Sequence, residues 1–498
     1  MTNGAYDIML AMNQQIILAE LQAIVGRRSV LHEPADLALY EYDGSLDKGR
    51  PDFVVFPETT AHVSAIAKLA TREHIPFFPR GAGTGLSGGA VADQGGITVA
   101  MSRMHKILEV DTVNLRAVVQ PGVVNADISL EVAKHGLYYV PDPSSQRACT
   151  IGGNVAENSG GPHCLAYGVT TNHVLGVELV LPDGEVIETH IDAPGYDLTG
   201  LIVGSEGTLG IVTKVFIRLM PLPEVVRTLL VVFDTIDAAS NAVSAIIASG
   251  TVPAAIEMMD NTAIIAVEAA KQCGYPTAAG AVLLIDVEGV SGGVDDVVER
   301  IRRICDDFDA RETRLAQSAQ EREKYWSGRK GAFGAMGRLA PSYYVQDGVI
   351  PRSKLPEVLR QIGAIGEKYK LKIANVFHAG DGNLHPLILF DDRDEVMTAK
   401  TIEAGNAIIQ ACIDAGGSIT GEHGVGLEKR DLMSRLFNEA DLDAMKRLKA
   451  AFNPNDNLNP CKVFPATKMC IETWHKRKAV LKQPVKLSGL KLGGLPIP

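Results

Sequence analysis

The segment Val376 to Pro386 reads VFHAGDGNLHP, with His378 and His385 on two apolar runs that flank Asp381-Gly382. This pattern reads as strand, tight turn, strand, because Asp-Gly is a favoured pair for a two-residue hairpin turn. A turn centred there pairs His378 directly with His385 on one face, with Cβ atoms roughly 4.5–5.5 Å apart. Two outcomes stay open: a cross-strand pair of hydrogen-bonded histidines, or part of the ligand shell of one small cation. Two neutral imidazoles fill only part of a zinc shell, so the metal reading needs a carboxylate from elsewhere. GSITGEHGVGLEKR supplies one in Glu422, beside His423, among glycines that leave both side chains free to turn into one cleft.

A second set of residues suits a long ligand. RGAGTGLSGGA, Arg80 to Ala90, follows the strand-like IPFFPR. Gly81 and Gly83 begin a G-x-G-x-x-G fingerprint, but Leu86 takes the third glycine position and no clear helix starts there, so the dinucleotide motif fails. What remains is either a flexible surface loop or a loop whose backbone amides converge on an anion. Small residues cluster again in PDPSS (Pro141 to Ser145), TIGGNVAENSGG (Thr150 to Gly161) and GSEGTLGIVTKV (Gly204 to Val215). Several close backbone approaches of this kind are what a long cofactor requires.

The elements that must carry these residues divide the chain. NQQIILAELQAIV and PADLALYEYDGS give an amino-terminal helical segment, 1–50. From Pro51 short strands and helices alternate through 51–223, including a hairpin at Pro182-Asp183-Gly184. Residues 224–430 alternate strands such as RTLLVVF and AVLLIDVEG with helices, the pattern of an antiparallel sheet with helices on one side and of a substrate cap. Residues 431–465 close the fold, and 466–498 form a basic tail, either solvated or docking an acidic partner. At 498 residues the chain exceeds one core. With 46% hydrophobic and 21% charged residues it is globular, and its net charge of −11 argues against nucleic acid. No apolar run approaches the roughly 20 residues of a membrane span. No Lys or Arg precedes Arg27, so a secretory start is absent and a cytoplasmic chain is expected. The seven cysteines form no C-x-x-C pair and read as free thiols, without an iron–sulfur cluster of their own.

From about Pro51 to Pro465, the glycine-rich segments together resemble the FAD-binding domain of the vanillyl-alcohol oxidase superfamily. ACTIGGNVAENSGGPHCLAYGVTTNHVLG, with H-x-G-D-G-N-L-H and G-E-H-G, resembles within it the glycolate oxidase family of FAD-linked D-2-hydroxyacid dehydrogenases. The resemblance implies an α+β chain: a two-part FAD-binding domain, 51–223, and an antiparallel-sheet α+β cap, 224–430, with 431–465 returning to the FAD domain. It implies that Arg80, Gly81, Ala82, Gly83, Thr84, Gly85, Gly88 and Gly89 wrap the FAD pyrophosphate. Pro141, Ser144, Ser145, Gly152, Gly153, Asn154, Ser159 and Gly160 fall near the flavin and diphosphate, Glu206, Gly207 and Ile211 along the adenine and ribose, and Asn459 among the cofactor contacts. His378, His385 and Glu422 become ligands of a divalent metal, with zinc expected, and His423 the catalytic base. Arg329, in KYWSGRKGAFGAMGR, becomes the partner of the substrate carboxylate. Thr84 stands where relatives with covalent flavin carry histidine, so noncovalent FAD is expected.

The same resemblance implies oxidation of glycolate to glyoxylate, with D-lactate a second substrate. Electrons would pass to a second FAD-domain subunit and an iron–sulfur subunit, then to a quinone-type acceptor, so that the inner face of the cell membrane is met only through partners. Val345, Gln346 and Leu387 stand where relatives acting on dicarboxylic hydroxy acids have polar groups, which favours a small substrate. A self-sufficient D-lactate dehydrogenase and a noncatalytic FAD-binding scaffold are the alternatives.

Overall fold

The computed structural model describes residues 3–468 and 470–473, so nearly all of the basic tail lies outside the described residues. The first helix, Asn3–Val25, starts well before the expected Asn13. Its buried Ile17 and Leu21 join the core of a four-stranded sheet. In that sheet Phe53–Val55 and Phe77–Arg80 both lie parallel to Ile97–Ala100. Parallel neighbours need a crossover, which the helix Thr60–Arg72 supplies. It opens where the Thr59 hydroxyl accepts from the His62 N–H at 3.2 Å, and Val63, Ile66, Ala67 and Ala70 bury one face at helical spacing. The glycine-rich loop therefore leaves from the carboxyl end of a parallel strand, the usual place for a ligand in such sheets. The chain returns here at its end: Phe77 N–H donates to Asn457 O at 2.9 Å, and Asn459 N–H to Phe77 O at 2.8 Å.

A second sheet is antiparallel, in the order Ile107–Asp111, Arg116–Val119, Ile211–Arg218, Val174–Val180, Val186–His190. The expected hairpin at Pro182-Asp183-Gly184 is present, with Gly184 left-handed at φ 84°. Between this sheet and the helix Ile151–Glu157 lies its own apolar core.

The third sheet is antiparallel, but helices cover both faces, not one. Leu229, Val231 and Phe233 pack with helices Ile236–Ala248, Ser291–Asp307, Leu355–Tyr369 and Glu395–Asp414. Leu230 and Val232, one residue out of step, pack with Asn261–Lys271, Ala319–Lys330 and Ala332–Ala335. Two covered faces explain why LLVVF (Leu229 to Phe233) and AVLLI are apolar at every position, where a half-exposed sheet would alternate. The expectation of seven free thiols is also corrected, since Cys461 and Cys470 are joined in a disulfide.

Candidate active site

The hairpin that carries the histidines has a different register from the expected one. His378 pairs with Asn383 and Asn375 with Pro386. Residues 379–382 form a four-residue turn. A two-residue turn of the favoured type needs positive φ at both central residues, and of Asp381 and Gly382 only Gly382 has it, at φ 81°. The register moves by two residues, an even number, so both histidines keep the same face. They are diagonal neighbours with ring centroids 5.1 Å apart.

Nε2 of His378 and Nε2 of His385 both lie 3.1 Å from Oε1 of Glu422. The other nitrogens face acceptors too: Nδ1 of His378 is 2.7 Å from Oε1 of Glu257, and Nδ1 of His385 is 3.4 Å from the carbonyl of Gln346. Protons on the Nδ1 atoms leave two lone pairs and a carboxylate oxygen converging on one buried point, which repel unless a positive charge lies between them. Burial opposes a charge on His378, but Glu257 and Glu422 hold its pKa well above the ordinary value. Two imidazole nitrogens and one carboxylate, their ligand atoms within 4.8 Å of one another, are also a donor set that fits a divalent cation.

Glu422 and His423 are held by a residue that the motifs did not single out. The Asp347 carboxylate accepts from the backbone N–H groups of Gly421 at 3.0 Å, Glu422 at 3.2 Å and His423 at 3.0 Å, and from Lys429 Nζ at 3.1 Å. Burial opposes its charge, yet Lys429, His423 and His385 keep its carboxyl far below the usual range. From the other side Glu206 accepts from the N–H groups of Val425 at 2.7 Å and Gly426 at 2.6 Å. Its carboxylate is thus directed at this loop, while the residue also lines the cavity. A Cβ at Gly426 would lie 2.1 Å from the Ser87 carbonyl, and its φ is 51°, so only glycine passes between the two loops. Burial and the neighbouring Glu206 push the Glu157 carboxyl well above the ordinary value. The His423 ring stacks on His385 at 4.8 Å. Burial pushes its pKa down to about 4, with His385 acting the same way against Asp347, so near neutral pH the ring is an unprotonated acceptor.

Arg329 is neither exposed nor free. It ends the helix Ala319–Lys330, is 1% exposed, and donates from Nε to Oε2 of Glu257 at 2.6 Å. Arg329, Lys330, Phe333, His385, Glu422 and His423 all line one end of a single cavity. Its other walls contain Arg80, Gly81, Ala82, Gly83, Thr84, Gly85, Gly89, Ser144, Ser145, Gly152, Gly153, Asn154, Ser159, Glu206, Gly207 and Ile211. Gly88, Pro141, Gly160 and Asn459 stand behind these walls. Gly88 packs against Leu427, the Pro141 carbonyl accepts from Asn125, and Gly160 backs onto Glu422. Asn459 donates to the carbonyls of Gly89 at 3.2 Å and Glu206 at 2.7 Å, bracing two lining loops together. Arg80 donates from Nη2 to the Tyr42 carbonyl at 2.8 Å, close to Gly83, whose φ is 72°.

Val345, Gln346 and Leu387 do not line the cavity. Val345 and Leu387 pair across strands within the apolar core, and Gln346 is buried beside them. Phe333 does line the cavity, with its ring 6.4 Å edge-on from His385. Glu257, Asp347, Lys429 and Phe333 were missed from sequence, although a lone glutamate in the apolar strand AIEMMD was a visible signal.

The profile described as "FAD binding domain" matches residues 51–190, and that described as "FAD linked oxidases, C-terminal domain" matches 222–463. The glycolate oxidase subunit GlcD of Escherichia coli (strain K12) is 46% identical over 460 residues, 92% of each chain. A D-lactate dehydrogenase of Anaerostipes hadrus is 32% identical over 429 residues, 84% of this chain and 90% of its own. The crystal structure of p-cresol methylhydroxylase with substrate bound shares the fold at a TM-score of 0.77, with 17% identity over 90% of this chain and 96% of its own. Because the two profiles cover the glycine-rich walls from Arg80 to Ser159 and the charged end of the cavity, and nearly half the residues recur along nine-tenths of a relative, the chain belongs to the family of FAD-linked oxidases and binds FAD through its amino-terminal half.

Proposed function

We propose that the protein oxidises glycolate to glyoxylate, using noncovalent FAD and a divalent cation, with zinc the best match to the donor set. The observation that carries this reading is the convergence of His378, His385 and Glu422 at the end of the cavity where Arg329 and His423 also lie. Bound FAD supplies a two-electron acceptor for the hydride on C2, and a bound cation supplies the Lewis acidity that lowers the hydroxyl pKa. The chain does the rest. His378, His385 and Glu422 hold the cation, and the Arg329 guanidinium takes the substrate carboxylate at the cavity wall. His423, already unprotonated, receives the hydroxyl proton at its ring nitrogen. Phe333 limits the room beyond C2, which suits a hydrogen or methyl there.

The 46% relative is named a subunit, which supports assembly with a second FAD-domain subunit and an iron–sulfur subunit. Among the described residues no cysteine enters a group able to hold a metal ion, so such a cluster would belong to the partners. No helix among them is long and apolar enough to cross a membrane. A cytoplasmic chain that meets the inner face of the cell membrane through its partners accords with this. The 32% relative named D-lactate dehydrogenase favours a second reading, a self-sufficient D-lactate dehydrogenase.

Anaerobic mixing with glycolate, D-lactate and L-lactate, followed by the visible absorbance of oxidised flavin, tests both readings. Bleaching by glycolate supports the first. Bleaching by D-lactate alone selects the second, and no bleaching of metal-loaded holoprotein by any of the three overturns both. His423→Ala should slow bleaching by about 10²–10⁴-fold, the range for loss of a general base.

A further inference from the structure

Glu257 lies in the strand Ala255–Asp260, between the core residues Ile256 and Met258, and is 1% exposed. A carboxylate there carries a large desolvation cost unless both oxygens are matched. Both are. Across the sheet Glu257 pairs directly with His378, and its Oε1 meets His378 Nδ1 at 2.7 Å. Its Oε2 takes Arg329 Nε at 2.6 Å, with Nη2 of the same guanidinium equally close, at 2.6 Å. The guanidinium therefore hydrogen-bonds this carboxylate through Nε, while the buried Nη2, close as it is, has no hydrogen-bond partner among the described residues, and the side chain lines the cavity.

We propose that Glu257 is a positioning residue that locks the substrate-binding arginine and one metal ligand to a single carboxylate, fixing the spacing between the sites for the substrate carboxylate and hydroxyl. In a 2-hydroxy acid those groups sit on adjacent carbons, so two independently mobile recognition groups would lose the register. One rigid acceptor removes that freedom and fixes the His378 tautomer with Nε2 free for a cation. Glutamine cannot replace it, because its amide offers one acceptor and one donor where two donors must be met. The inference rests on the reading of His378 as a metal ligand.

The test is zinc affinity, measured by competition with a chromogenic chelator on FAD-loaded protein, for wild type, Glu257→Gln, Arg329→Met and the double variant. Glu257→Gln should weaken zinc by about 10–100-fold, the usual cost of losing a partner behind a ligating histidine. It should also raise KM for glycolate more than it lowers kcat. Arg329→Met leaves the carboxylate undivided on His378, so zinc should bind more tightly, and this gain should vanish in the Glu257→Gln background. An Arg329→Met effect that persists there would mean charge repulsion through space and overturn the shared-carboxylate coupling. Zinc affinity unchanged in both single variants would overturn it as well. Wild-type holoprotein that binds no stoichiometric zinc would instead bring down the metal reading itself, and an unchanged flavin spectrum in each variant separates these results from misfolding.

Discussion

Replacing Asp347 by Asn tests whether the loop carrying Glu422 and His423 is held by charge. Oδ2 of Asp347 accepts from Thr420 Oγ1, Gly421 N, His423 N and Lys429 Nζ, while Glu422 N–H is shared between Oδ1 at 3.2 Å and Oδ2 at 3.4 Å. Asparagine can set its carbonyl at the Oδ2 position, which turns its amide toward the Glu422 N–H and loses the shorter of that group's two bonds. It also leaves Lys429, 2% exposed, without its counter-charge. Breaking a buried pair from one side costs about 3–5 kcal/mol, and the lost backbone bond adds about 1 kcal/mol. Urea unfolding of the FAD-loaded protein should therefore show a loss of roughly 4–6 kcal/mol, the sum of those terms. Lys429→Met should lose a comparable amount, but the Asp347→Asn, Lys429→Met pair should recover part of it because no lone charge remains. An Asp347→Asn protein within about 1 kcal/mol of wild type, the scale of an ordinary surface pair, would refute the reasoning. So would a double variant whose losses simply add.

Three further outcomes follow from the same geometry. Burial pushes the Glu428 carboxyl up to about 8, with Asp47 and Asp347 adding to the effect and Lys429 and Tyr344 opposing it. Since its folded pKa is raised, its contribution is complete below about 4.3, the ordinary glutamate value, and is lost as pH rises through 8. Glu428→Gln should flatten the decline in stability across that window, seen as denaturant midpoints measured from pH 5 to 9; an unchanged slope would count against it. Gly83→Ala puts a side chain at φ 72°, where a Cβ would also lie 2.2 Å from Arg80 Nη2. At about 1–2 kcal/mol for the conformation alone, FAD should bind roughly 5- to 30-fold more weakly by fluorescence titration, and an unaltered Kd would show that the loop does not need this shape. Phe333→Ala should raise kcat/KM for 2-hydroxy acids with longer side chains relative to glycolate, by about 10–200-fold per methylene accommodated. An unchanged ratio would remove Phe333 as the limit on substrate size.

The sequence made the halves of the site legible but not the residues between them. Glycine clusters and the His and Glu motifs are local in sequence, because a backbone approach or a turn is decided within a few residues. The parity of the hairpin was also legible, since a side-chain period of two survives an even error in register; the turn length was not, because Asp-Gly serves several turn types. Helices on both faces of the cap could have been inferred from the unbroken apolar runs Leu229 to Phe233 and Ala281 to Ile285. Glu257 and Asp347 act across more than seventy residues of sequence, on His378, Arg329 and the loop at Gly421. No local pattern encodes such pairings, and a charged residue within an apolar strand is the one sign they leave.

The loop that carries Glu422 and His423 gains its position from both halves of the molecule. Asp347 and Lys429 fix it from the cap side. From the FAD side, Leu427 N–H donates to the Ser87 carbonyl at 2.9 Å, and from the closing segment Val463 N–H donates to Gly426 O at 3.0 Å. Ser87 belongs to the glycine-rich loop whose neighbours line the cavity, and Glu206, in another lining loop, takes two more amides. Whatever fixes those loops therefore also bears on Glu422 and His423. The hydrogen bonds between Ser87, Glu206 and residues 425–428 are the physical link between the loops that line the cavity and the loop that carries Glu422 and His423.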